Sequence, residues 1–158
     1  LTWCPSGQAT SPESVVLGVR SGDNGRVTYL ADPVPAAEVL GSIPAGIEPT
    51  RVLRFASYCE SACAHRQGND CTLVQRVLAV PAQDEARDGA PDGARAVPRC
   101  HLRTRCKWWN QTGVAACYRC PAVSTAVRAD DALGTLISYP TCSPEQLAAG
   151  SAAEAAAS

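Results

Sequence analysis

Cys100, Cys106, Cys117 and Cys120 follow the spacing C-x5-C-x10-C-x2-C, and Pro121 comes immediately after the last of them. Four thiols in one short stretch are the ligand set of a zinc ion or an iron–sulfur cluster. A single zinc ion needs its four ligand atoms drawn tightly around one point, which proteins usually achieve with two C-x2-C turns or one such turn and a histidine pair. Here only Cys117 and Cys120 form a tight turn. An iron–sulfur core is larger than one ion and takes thiolates from more widely separated backbone positions. A cysteine followed by proline also ends the bacterial ferredoxin run, although the spacing here is not that run. The expected cofactor is therefore an iron–sulfur cluster, with 4Fe-4S favoured over zinc.

Charge around these thiols points the same way. Between Asp92 and Asp130 there are seven Arg or Lys and no Asp or Glu. Arg99, Arg103, Arg105, Lys107 and Arg119 are the expected counter-charges for a thiolate centre of either metal. This island spans about residues 95–128 and lies between acidic flanks, in a chain whose formal net charge is -1.

A second block, Cys59, Cys63 and Cys71, has the spacing C-x3-C-x7-C. It supplies three possible thiolates for a second centre, and His65, Cys4, Cys142 or a cysteine of the other block is the candidate fourth ligand. Imidazole can replace thiolate at zinc and at some clusters. His101 directly follows Cys100 and is a poorer candidate, because a ligand at 100 turns the next side chain elsewhere.

The chain has 158 residues, nine of them cysteine, with one Phe and no Met. Its apolar content is mostly Ala and Val, so the core is expected to be thin and to need a further staple. An odd cysteine count argues against a disulfide framework. Neither a signal-peptide pattern nor an apolar run near the ~18 residues of a membrane span is present, although Asn110-Gln111-Thr112 matches a glycosylation sequon. The expected location is cytoplasmic.

The elements that must position these residues read as an α+β protein. Residues 1–56 form a small strand-rich cap: a frayed end at Trp3-Cys4, a hairpin of Val15–Val19 and Val27–Leu30 about Ser21–Gly25, a short helix at Pro35–Leu40, and a strand at Val52–Phe55. No chemistry is assigned to this cap. Residues 57–142 form a mainly helical, loop-rich, cysteine-ligated half. Within it, a helix after Asn69 or Asp70 carries Leu73, Val74, Val77 and Leu78 and begins at Cys71. Residues 81–98 read as an exposed connection. A helix over Leu102–Gln111 ends near Gly113, the segment from Cys117 to Pro121 reads as a loop, and Ala122–Val127 is extended or short-helical. Residues 143–158 begin with the capping box Ser143-Pro144-Glu145-Gln146 and end as an Ala-rich tail.

Together these features predict an electron carrier or a small redox subunit of a larger oxidoreductase complex, with a redox partner protein and no catalysis of its own. Trp108, Trp109 and Tyr118 serve either as a contact patch or as cover over the cluster. The alternative is a zinc-stapled interaction module that contacts nucleic acid through the basic island, though so few basic residues would bind weakly. No glycine-rich phosphate loop, Ser/His/Asp set or paired carboxylates is legible.

Overall fold

The computed structural model describes residues 2–20, 26–80, 96–123, 137–143, 145–147 and 149. The chain divides into two compact units, each assembled from two separated stretches: residues 1–61 with 97–126, and residues 62–96 with 127–158. A four-stranded antiparallel sheet near the N-terminus and helices later in the chain make the protein α+β.

The first unit is built on that sheet, whose order is β1-β4-β2-β3. Its strands are β1 (Trp3–Cys4), β2 (Val15–Arg20), β3 (Val27–Pro35) and β4 (Leu53–Tyr58). The β-branched run of β2 pairs with β3, as the hairpin pattern implies, while the Ser21–Gly25 turn lies outside the described residues. β4 is flanked by β1 and β2, and Arg54, Phe55, Ala56 and Ser57 are buried in succession, so both faces of this strand are covered. Phe55 packs with Val16 and Ala36 on one face, beneath α1 (Ala36–Leu40). Alternation along the strand puts Arg54 on the other face. α2 (Pro49–Val52) begins at Pro49 and leads directly into β4.

Trp3 and Cys4 are not the frayed end that their terminal position implied. They pair with Tyr58 and Ser57, and the Trp3 and Tyr58 rings meet edge to face with centroids 4.6 Å apart. The area buried by one indole, together with the aromatic contact, outweighs fraying of two residues.

The same unit contains the second cysteine block. A 3-10 turn at Arg103–Arg105 is followed by α4 (Lys107–Thr112), and α5 (Val114–Arg119) leads into a 3-10 turn at Cys120–Ala122. Two expectations are corrected. The helix predicted over Leu102–Gln111 is broken at Cys106, whose extended backbone (φ -77, ψ 129) caps α4. The predicted loop from Cys117 to Pro121 is helical: Ala115 and Ala116 favour α5, and Pro121 suits the start of a 3-10 turn. Gly113, at φ +74, reverses the chain between α4 and α5, a conformation that favours glycine.

In the second unit, β5 (Arg66–Gln67) and β6 (Asp70–Cys71) form a minimal hairpin, with Gly68 at φ +62. Cys71 then caps α3 (Thr72–Leu78) in place of Asn69 or Asp70, because Asp70 is taken up by the hairpin. Val74, Arg76 and Val77 are buried. The capping box forms as read: Gln146 N–H donates to Ser143 Oγ at 3.2 Å, and Ser143 N–H donates to Gln146 Oε1 at 2.8 Å. Residues 81–95 of the expected connection, 124–127 after the second block and the tail from 150 lie outside the described residues. Among the described residues, no helix is long and apolar enough to cross a membrane.

Candidate metal centre

Cys100, Cys106, Cys117 and Cys120 line one pocket. Their positions follow from the local structure: Cys106 at the cap of α4, Cys117 on α5, Cys120 opening the 3-10 turn, and Cys100 just before the Arg103–Arg105 turn. Leu17 and Tyr29 close the pocket from the sheet, and Trp108 and Trp109 close it from α4. Trp108 is 1% exposed, so it serves as cover and not as a contact or stacking platform. Its indole Nε1 is buried without a hydrogen-bond partner among the described residues.

No sulfur is bonded to another: all nine cysteines are thiols. Burial raises the Cys106 thiol to about 12, while the Trp109 and Trp108 N–H groups at the start of α4 face its sulfur and act the other way, without completing a capping hydrogen bond. Burial also raises the Cys100 thiol, opposed by the Leu102 N–H and the Arg103 charge. Cys120 acts electrostatically on both Cys100 and Cys106, and Cys117 acts on Cys100, so the four sulfurs share one field.

The closest charge comes from outside the basic island. Arg54 is 0% exposed. Its Nε donates to Pro5 O at 2.5 Å, one terminal nitrogen donates to Cys120 O at 2.9 Å and Val123 O at 2.8 Å, and the other donates to Cys120 Sγ at 3.4 Å. Its guanidinium lies 5.8 Å from the centroid of the Trp108 ring. Arg20 also donates to Val123 O, at 3.2 Å, and burial followed by the Arg54 charge lowers it to about 10. Tyr29 lines the same pocket as Cys120, and burial followed by the Cys120 charge holds Tyr29 well above its ordinary value. Residues 1–56, read as a cap without chemistry of its own, thus place one side chain, Arg54, against a pocket sulfur. The one available signal was an arginine set in the apolar run Leu53-Arg54-Phe55-Ala56.

Of the island residues, Arg103 lines the pocket, and Arg105 stacks over Trp3 at 5.8 Å from the ring centroid. Both ring nitrogens of His101 are buried without a hydrogen-bond partner among the described residues. Burial first, and Arg105 second, lowers its pKa.

The first cysteine block is divided between the units. Cys59 belongs to the first, where its N–H donates to Thr2 O at 2.9 Å, and Cys63 and Cys71 belong to the second. His65 Nδ1 lies 2.6 Å from a terminal nitrogen of the buried Arg76, which also donates to Thr72 Oγ1 at 2.8 Å and, through Nε, to Ile137 O at 2.6 Å. Cys71 and Cys142 act on Arg76 electrostatically. Among the described residues, no three Cys, His, Asp or Glu side chains are gathered tightly enough to hold a single metal ion.

The pocket of the second block offers the thiol donors that a zinc ion or an iron–sulfur core would take. It has four thiols, no carboxylate among its described lining residues, N–H and guanidinium groups beside the sulfurs, and aromatic cover. No protein-family model, curated protein or solved structure matches this chain.

Proposed function

We propose that the protein binds an iron–sulfur cluster, of the 4Fe-4S type, through Cys100, Cys106, Cys117 and Cys120, and that it carries electrons as a free carrier or as a small subunit of a larger redox complex. The observation that carries this reading is that these four thiols line one pocket. Their spacing in the sequence, with one tight C-x2-C turn and two wide gaps, is what favours a core of several irons over zinc. Such a core supplies reversible one-electron transfer. The chain's own residues bind it, exclude water with Leu17 and Trp108, and set positive charge beside it through Arg54 and Arg103. Cys100, Cys117 and Trp109 are half-buried, whereas Cys106 and Cys120 are buried, so the half-buried side is the route to a partner protein. A centre held by four thiolates needs those cysteines unpaired, and the proposal accordingly places the protein in a reducing compartment, the cytoplasm.

Anaerobic incubation with ferrous iron and sulfide tests this. A brown protein absorbing near 400 nm, with about four irons and four sulfides per chain and bleached reversibly by dithionite, is expected of a cubane held by four thiolates. A colourless protein that instead takes up one zinc ion would sink it.

A further inference from the structure

Arg54 touches the Cys120 sulfur and Tyr29 lines the same pocket, from two different strands. Arg54 is on β4 and Tyr29 on β3, and both face Gly18 on the intervening β2 in the sheet register. Cross-strand partners project to the same face of a sheet, so the phenol and the guanidinium rise side by side over a residue that has no side chain. Arg54 donates to Cys120 Sγ at 3.4 Å, and Tyr29 and Cys120 line the same pocket.

Arg54 is also a charge problem. A fully buried guanidinium is strongly unfavourable unless an anion compensates it. Among the described residues its hydrogen-bond partners are three carbonyls and one sulfur, none of them a carboxylate. From Asp92 to Asp130 the chain has no acidic residue that could serve. Among those described partners, the group that can carry negative charge is the sulfur of Cys120, as a ligand of a negatively charged centre.

We propose that Arg54 and Tyr29 are positioning residues for Cys120 that raise the reduction potential of the centre it ligates, a role that rests on the cluster reading above. Reduction adds one electron and therefore one negative charge to the centre. A fixed positive charge held against a ligand sulfur, with a phenol on the same wall of the pocket, stabilises that charge, and hydrogen bonds to sulfur are a recognised lever on cluster potential. The two carbonyls that Arg54 clamps, Cys120 O and Val123 O, hold the 3-10 turn so that the sulfur stays in place. A clamp alone would need the carbonyl contacts and not the one to sulfur.

The test is a potentiometric titration of the reconstituted full chain with dithionite and redox mediators, comparing wild type with Tyr29→Phe and Arg54→Lys. Tyr29→Phe keeps the ring and removes only the donor, and Arg54→Lys keeps the charge and loses the fork. Tyr29→Phe is expected to shift the reduction equilibrium about threefold toward the oxidised form. Arg54→Lys is expected to shift it about tenfold, or ~59 mV for a one-electron couple. Both should keep wild-type iron content and far-ultraviolet circular dichroism. Folded, loaded variants that reduce at the wild-type potential overturn the proposal. If Arg54→Lys does not fold, Tyr29→Phe decides alone. A wild-type chain that takes up no iron and sulfide removes the cluster reading and this proposal together; loading with unmoved potentials removes this proposal only.

Discussion

Tyr29 and Arg54 occupy one cross-strand row, on either side of Gly18, with Arg54 bonded to Cys120 and Tyr29 lining the same pocket. The row makes one face of an otherwise ordinary antiparallel sheet the wall of a thiol-lined pocket. On the opposite face Phe55, Val16 and Ala36 form an apolar core. The sheet thus has a packing side and a chemical side, and β4, buried on both, links them.

Gly18 should tolerate no side chain. A Cβ there would lie 2.5 Å from Val27 Cγ1 and 2.6 Å from Thr28 O, contacts that the backbone of β3 would have to yield to relieve. Gly18→Ala is expected to destabilise the first unit by about 1–3 kcal/mol, the usual range for overpacking. Urea denaturation measures the loss, and an unchanged midpoint would contradict the register described.

Replacing any one of the four pocket cysteines should abolish stable loading, whereas Cys63 should be dispensable. Cys106→Ser and Cys120→Ser are expected to lose most bound iron and the absorption near 400 nm. Cys63→Ser, at an exposed thiol of the second unit, should keep both. Iron and sulfide assays on the purified variants separate the two outcomes.

Stability should fall on the acid side of neutrality, in part through His65. Burial first, and the Arg76 charge second, lowers its pKa. A base whose folded pKa is depressed binds its proton more readily in the unfolded chain, so its contribution is intact above the unfolded value of ~6.5 and is lost as pH drops through that value. His101 is shifted in the same direction. His65→Asn should therefore flatten only part of the decline in melting temperature between about pH 7 and pH 5. A variant curve parallel to wild type throughout would show that His65 is not held neutral.

The capping box can be tested without reference to the pocket. Ser143→Ala removes the oxygen that accepts from Gln146 N–H and is expected to cost about 1 kcal/mol. Leu147, one residue further on, is fully buried and ties the effect to the second unit. Thermal melts of the variant should shift while iron loading does not.

Much of the local structure was legible before the fold was known. The β2–β3 hairpin, the strand at β4, the turn at Gly113 and the Ser143–Gln146 box depend on side chains within a few residues of one another. The helix break at Cys106 and the helical turn at Cys120 were not legible. In both places the local propensities are nearly balanced, and packing against the sheet side of the pocket decides between them.

From its order alone the chain determined the α+β class, through residue periodicity, and the spacing of the thiols at 100, 106, 117 and 120, which with the following proline is a local pattern. Only the tertiary structure decided that Cys59 falls in one compact unit and Cys63 and Cys71 in the other, and that Arg54 touches a sulfur 66 positions further along the chain. The physical reason is strand pairing. Register sets residues from β2, β3 and β4 in a single row, and neither spacing nor composition within any one strand records which partners that row will have.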